Sequence, residues 1–578
     1  MSASAKPLRV VLCWHMHQPE YRDPGTGTYQ FPWTYLHGIK DYVDMVAHLE
    51  AHPQARAVVN FAPILLEQIE DYVRQIDICL KQGVPINDPV LNLLANDQWP
   101  EANSDDFRQL MSQCLRANND RIIKRFPEYA QLADYAHWLL KNDGALIYLA
   151  PQFLIDLSVW YHLGWMAETV RRDDDRIKRL QSKGRDFDRD DRLTLLRLID
   201  ELLKSIAPRY RRLADSGRVE LSFSPHSHPI IPLLLDVHAA QEAIPGASLP
   251  AGGGYPGGEE RAHWHMREGA RSFERFFGIH PRGCWLSEGG VSQASLRLLD
   301  QHHVAWTASG ESVLRNSMNA AAKGQEGAAN AVNHFRAYRF DDATVRCFFR
   351  DDGLSDLIGF TYADWHAEDA VADLVRHLEQ IAANCTDPGH RVVSIIMDGE
   401  NAWEHYPENG YYFLSHLYEA LVRHPKLTLS TYSDILADGD IEPVAYPRLV
   451  AGSWVYGTFS TWIGSADKNR GWDLLIEAKK AYDEVLASGT LAPEVVEAAT
   501  RQLAVCEGSD WFWWFGDYNA ADAVSDFERL YRRHLTRLYE LIGRPAPESL
   551  THVISQGRGT PARGGTMRHG QSDGGGGP

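Results

Sequence analysis

The sequence lacks any uninterrupted run of about 18 apolar residues, the minimum for a helix that crosses a bilayer. Its start, MSASAKPLRVVLCW, passes directly into a strand-like segment and shows no signal-peptide cleavage pattern. Both absences lead to the expectation of a soluble, cytoplasmic protein. Cysteine is scarce as well. Cys13, Cys79, Cys114, Cys284, Cys347, Cys385 and Cys506 are odd in number, widely scattered and free of any CxxC pair. That pattern fits buried thiols in a reducing compartment better than a disulfide scaffold or a zinc ribbon. Positive charge is also in deficit. With 58 Lys and Arg against 77 Asp and Glu, a formal charge of -19 and no basic stripe to offset it, the chain would repel phosphate backbones. Nucleic acid is therefore not expected as a partner.

What is present is a chain of 578 residues, 44% hydrophobic, enough for a large core and for two or more structural regions. Seventeen Trp and 24 Tyr stand out, because aromatic faces with polar tips hold sugar rings, although a large core also consumes aromatics. Short apolar, β-branched runs recur: LRVVLCWHMH, RAVVNFAP, RVELSFSPHSH, RGCWLSE, HVAWTASGE, VRCFFRDD and RVVSIIMDGE. Apolar at successive positions, they read as strands buried on both faces of a parallel sheet. Helix-period segments such as RLTLLRLIDELLKSIAPRYRRL separate them, so the fold class is α/β. A (β/α) barrel is favoured over a doubly wound sheet, because polar and charged residues collect at the C-terminal ends of many strands.

The stretch from about 65 to 215 is too long for one crossover and reads as a helical insertion in a catalytic domain spanning 1–436. Residues 437–550 read as a C-terminal helical domain packed on the barrel and contributing to its cleft. The glycine-rich segment 551–578 cannot bury apolar area and is expected to be a disordered tail.

Two carboxylates close strand-like runs: Glu288 ends GCWLSE and Asp398 ends VVSIIMD. In a barrel both would point into one mouth, where a pair of acids about 5 to 5.5 Å apart cleaves glycosidic bonds with retention of configuration. Acids at strand ends also serve as helix caps and ion-pair partners. His15 and His17 stand two apart after the first strand, as do His226 and His228 after RVELSFSP, so each pair can face one side. Packing, sugar binding and zinc binding all remain open for them, the last implying a metal-dependent deacetylase or mannosidase. Arg350, with Asp351 and Asp356 in FFRDDGLSD, either orients a carboxylate or forms a structural ion pair. Trp403 is close enough to Asp398 to wall the same cleft. Trp454, Trp462, Trp511, Trp513 and Trp514 could reach it from the C-terminal region, with core packing expected for at least half of the WFWW run.

Taken in order, the blocks WHMHQP (14–19), GRVELSFSPHSHPIIPLL (217–234), GCWLSEGGVS (283–292), FFRDDGLSDLIGF (348–360), IIMDGENAWEHYP (395–407), GSWVYGTFSTWIG and GSDWFWWFGD resemble glycoside hydrolase family 57, in particular its amylopullulanases and α-amylases. The resemblance implies an incomplete seven-stranded (β/α) barrel with a helical C-terminal domain. It also implies a retaining mechanism on α-glucans, with no catalytic metal or cofactor. Carried over residue by residue, Glu288 becomes the nucleophile and Asp398 the acid/base. His15, His17 and His228 become sugar contacts, and Trp403 lines the subsites. Trp285, Arg350, Trp454 and Asp510 complete the expected substrate-binding set. Two departures bear on subsite shape and not on the catalytic pair: Ser227, where an aromatic residue often precedes His-Pro, and the glycine-rich LPAGGGYPGGEE. The expected activity is cleavage of α-1,4 links, with α-1,6 links open, in glycogen, starch or maltodextrin. A 4-α-glucanotransferase is the first alternative and a glycogen branching enzyme the weaker one. A non-catalytic glucan-binding protein is a further class, against which the two carboxylates argue.

Overall fold

The computed structural model describes residues 6–322, 333–439 and 441–559, and among these one mixed sheet organises the chain. Its strands are β1 (Leu8–Met16), β2 (Ala57–Phe61), β3 (Val219–Phe223), β4 (Trp306–Gly310), β5 (Tyr338–Phe340), β6 (Arg346–Arg350), β7 (Val392–Asp398), β8 (Leu427–Leu429) and β9 (Val444–Tyr446). β1 is the centre: it runs parallel to β2 on one side and to β7 on the other, and β8 joins its first residues. Almost every side chain of β1 is buried, which is why its sequence shows no polar alternation. β3 extends the sheet beyond β2, while β6 links β7 to β4.

Between β3 and β4 the regular ladder gives out. Single bridges, Phe223 to Cys284 and Gly283 to Trp306, span the gap, so the barrel is incomplete at this seam. The expected strand RGCWLSE is therefore only a bridging segment. Glu288 does not close a strand; it lies in the one-turn 3-10 helix Ser287–Gly289. The Trp306 indole lies so close to Gly283 that a side chain there would overlap the ring. β5 and β9 were not anticipated, since three residues carry almost no periodic signal.

Register places the chemistry. In the β1–β7 ladder His15 is opposite Asp398, and in the β1–β2 ladder His15 is opposite Asn60, all at the C-terminal ends of parallel strands. Between β2 and β3 the chain leaves the sheet through helix Pro63–Gln82, with Pro at its start and left-handed Gly83 at its end. It returns through the 27-residue helix Arg189–Asp215, opened by a reciprocal Asp188/Asp191 capping box. After β9, helices Ala466–Ala487, Pro493–Cys506 and Ala521–Leu541 pack together, with the short helix Ser509–Trp514 between the last two.

The expected tail begins too early. Ile554 and Ser555 are buried, Ser555 bonds Asp467, and the Gly559 N–H donates to the Asn519 carbonyl. Backbone pairing with the 517–519 segment ties down a stretch that has little apolar area of its own; residues 560–578 lie outside the described residues. Five cysteines are buried, whereas Cys79 and Cys385 are partly exposed near helix ends. Among the described residues, no helix is long and apolar enough to cross a membrane.

Candidate active site

A cleft of about 540 Å³ opens at the C-terminal mouth of the barrel. Strand ends supply His15, His17, Arg350 and Asp398. The C-terminal region supplies Trp454, Asp510, Trp513 and Trp514, and the helical insertion supplies Arg116 and Trp165. Glu288 lines the same space, so the two candidate carboxyls converge despite their separation in sequence.

Glu288 is held in a left-handed backbone conformation, φ 58°, which costs a non-glycine residue energy that the surroundings must repay. The following Gly289 is left-handed too, and a Cβ there would press on Trp285 and Trp454. His228 and Tyr456 are also left-handed, so strain gathers around this cleft. The Glu288 carboxylate accepts from Trp454 Nε1 at 3.2 Å and from the Ser509 hydroxyl at 3.3 Å. Its side chain is 12% exposed, open to a ligand yet poorly solvated. Burial, with Asp510 and Asp398 adding negative field, pushes the Glu288 carboxyl up to about 8. Burial raises Asp398 as well, opposed by an Asn401 hydrogen bond of 2.9 Å and by the charges of His17 and Arg350. Both acids are thus raised above the ordinary carboxylate range, mainly because the fold removes water from them.

That raised pKa carries a stability cost with a definite sign. Glu288 titrates at about 8 in the folded protein against an ordinary value of 4.5. Its contribution is therefore intact below pH 4.5 and is lost as pH rises toward 8. Glu288→Gln keeps the acceptor for Trp454 and removes the ionisation. We expect Glu288→Gln to be more stable than the wild type by about 2–4 kcal/mol at pH 8, and equal to it near pH 4. Denaturant titrations at the two pH values check this; equal gains at both would show that ionisation is not the cause.

The histidines form a stack. His17 lies 3.8 Å from His228 and 5.7 Å from His15, with rings within about 20° of parallel. His15 bonds Asn60 at 2.7 Å, and His17 Nε2 bonds Asp510 at 2.8 Å. His228 Nδ1 meets the Ser509 hydroxyl at 3.0 Å. Burial and the neighbouring imidazoles lower His15 to about 3 and take His228 well below its usual range, so both rings are neutral. The Glu288 side is thus lined by neutral donors and acceptors suited to sugar hydroxyls.

Among the described residues two donor sets have metal-like spacing: His17, His228 and Asp510, and away from the cleft Glu67, His226 and Glu268. The first fits a shared ion poorly. Metal ligation uses lone pairs in the ring plane, whereas the His17 and His228 rings stack face to face, with centroids 3.8 Å apart and 18° between their planes, and do not aim those lone pairs at a common point. The second is already compensated, since Arg501 pairs with Glu268 and both Arg275 and Arg501 approach Glu67.

Several expected contacts lie elsewhere. Trp403 does not line the cleft: it is 1% exposed, bonds the Gly399 carbonyl and packs edge-on against Trp14, drawn into the core with Phe413. Trp285 is likewise buried beneath Trp454 in a T-shaped contact. His228 is more deeply buried than His17 and does not line the cleft, but its Nδ1 lies 3.0 Å from the Ser509 hydroxyl and 3.9 Å from the Glu288 carboxylate. Arg350 faces the cleft but is engaged by Asp352, Asp356 and the Ile396 carbonyl, while Asp351 pairs with His334. In the WFWW run Trp511 is core and Trp513 and Trp514 face the cleft, whereas Trp462 is buried against Trp513. Ser227 is buried with its hydroxyl on His226.

Sequence reasoning missed Ser509, although it adjoins Asp510, and also Asn401 and Glu400 beside Asp398. Glu400 is buried, accepts from the His17 N–H, Gln18 and Tyr42, and is raised well above the carboxylate range by burial and the Asp398 charge. Trp33 and Trp165, which enter from the first crossover and the insertion, carried no local signal at all.

The sequence pattern of glycosyl hydrolase family 57 matches residues 11–446, so the chain belongs to that family. Among solved structures the chain is similar to a family 57 branching enzyme from Thermococcus kodakaraensis, with 14% identity and a TM-score of 0.54 over 92% of this chain and 90% of that one. A family 57 branching enzyme from Pyrococcus horikoshii gives 16% and 0.52 over 95% and 97%. The α-amylase AmyC from Thermotoga maritima gives 14% and 0.52 over 94% and 96%. At these identities the likeness speaks for the fold. No curated protein matches the chain.

Proposed function

We propose that the protein is a retaining enzyme that cleaves α-1,4 links in α-glucans, with Glu288 as nucleophile and Asp398 as acid/base. The observation that carries this reading is that both acids line one cleft, close enough for the Asp398 charge to act on Glu288, and that burial raises both. In the first step Asp398 gives its proton to the glycosidic oxygen as the C1–O bond breaks, and Glu288 closes on C1 to form a glycosyl ester. In the second, Asp398 takes a proton from water, the water oxygen attacks C1, and the ester bond breaks to restore the Glu288 carboxylate. Two inversions give retention. Trp454 and Ser509, both donating to Glu288, oppose the burial that raises it and favour the anionic form that attack on C1 requires.

A second reading replaces water with a glucan hydroxyl, giving a 4-α-glucanotransferase or a branching enzyme. It is favoured by the aromatic lining, where the partly exposed Trp33, Trp513 and Trp514 offer stacking faces for an acceptor and displace water. The branching enzyme and the α-amylase among the similar structures fit either outcome. Product profiles on maltotriose, amylose and pullulan separate the two. Hydrolysis is expected to yield only shorter sugars from maltotriose, and longer oligomers or new α-1,6 branches would move the assignment to transfer. The same assay with chelator tests the deacetylase and mannosidase class, which requires activity to vanish with the metal.

A further inference from the structure

We propose that Glu507 is a positioning residue: by clamping the C-terminal helical region to the barrel it sets Ser509 and Asp510 against Glu288 and His17. This rests on the reading of Glu288 as nucleophile.

Glu507 follows helix Pro493–Cys506 and precedes Gly508, Ser509 and Asp510. Its carboxylate has no exposed area, and a charge in such a place persists only when fully paired. Four donors meet it. Arg261 approaches through Nε at 2.8 Å and Nη2 at 2.7 Å, His265 Nε2 stands at 2.7 Å, and the Tyr255 hydroxyl completes the set. All three partners belong to the barrel side, on helix Gly258–Phe277 or the glycine-rich loop before it. Burial pushes Glu507 upward, but Arg261 and His265 outweigh it and bring the carboxyl down to about 2.

The clamp reaches the site by two short routes. Along the chain, the Ser509 N–H donates to the His228 carbonyl at 2.9 Å, the Ser509 hydroxyl serves Glu288, and Asp510 holds His17. Across space, His265 accepts on Nδ1 from the Ser227 N–H, and its backbone carbonyl accepts from the His226 N–H, so it also fixes the loop that carries His228. Gly508 rests on the Ser227 carbonyl, where a Cβ would stand only 2.9 Å away. One carboxylate thus anchors both segments that meet at Glu288.

Glu507→Gln keeps the shape and removes the charge. We expect the folded variant to lose about 10- to 100-fold in kcat on maltotriose, with KM within about threefold of the wild type, because an ångström of misplacement acts on the chemical step. The groups facing Glu288 are Asp510, Asp398 and His228, and withdrawal of Asp510 eases the ionisation of the nucleophile and so moves the acid limb of the pH profile toward lower pH. A crystal structure of the variant should place Ser509 Oγ beyond hydrogen-bond reach of Glu288. Arg261→Lys, which keeps the charge but loses the fork, should show a smaller loss in the same direction, and it carries the test if Glu507→Gln does not fold. Wild-type kcat, pH profile and Ser509 position in a folded variant would overturn the clamp. A wild-type protein inactive on every glucan would instead overturn the catalytic reading, and the Ser509 position would still judge the clamp.

Discussion

Glu288→Ala is expected to lower kcat/KM on amylose by roughly 10³–10⁴-fold while leaving the fold intact, and azide is expected to restore turnover of an α-maltosyl fluoride as the β-configured azide. Removing the side chain opens space on the β face of the anomeric carbon, and fluoride departs without help from an acid. Azide entering where the carboxylate stood inverts the centre once. The configuration of the product, read by NMR, therefore reports which residue was removed from which face. An α-configured azide from this variant would transfer the nucleophile role to Asp398, and undiminished activity on amylose would remove Glu288 from catalysis altogether.

Asp398→Ala is expected to cost roughly 10²–10⁴-fold on amylose, the usual span for loss of a general acid, but far less in the first step with α-maltosyl fluoride. With no base to activate water, the glycosyl ester should accumulate. Mass spectrometry of the digested protein should find a maltosyl increment on the peptide that contains Glu288. Azide, attacking the ester from the opposite face, should yield the α-configured product, since two inversions then occur. An intact protein with no sugar-bearing peptide and an equal loss on both substrates would mean that Asp398 does not act as the proton donor.

The mutual placement of these groups follows from strand register and domain contact in different degrees. His15 and Asp398 are neighbours because β1 and β7 pair in parallel with those residues opposite each other, and both runs were recognisable from consecutive apolar residues. Glu288 was found by the same signal for a partly different reason. Its segment bridges two strands without joining either ladder, and the residue turns into the cleft through a left-handed backbone that no propensity anticipates. The tryptophans show where local reading ends. Trp403 and Trp454 are both single indoles near a carboxylate in sequence or space. One is pulled inward by Trp14 and Phe413, while the other stands over Trp285 and donates to Glu288. Nothing in the adjacent residues distinguishes these fates.

Read alone, the sequence determined the order of buried strands, the helical nature of the long excursion between β2 and β3, the two carboxylates and the histidine pairs, because strand burial and motif spacing are written in neighbouring positions. The tertiary structure alone decided the rest. It set His228 beside Ser509 and Glu288, put Trp285 and Trp403 in the core, brought Trp33 and Trp165 to the cleft, and raised both acids by burying them. Those properties depend on which distant side chains exclude water from a given atom, and desolvation and packing are sums over the whole fold.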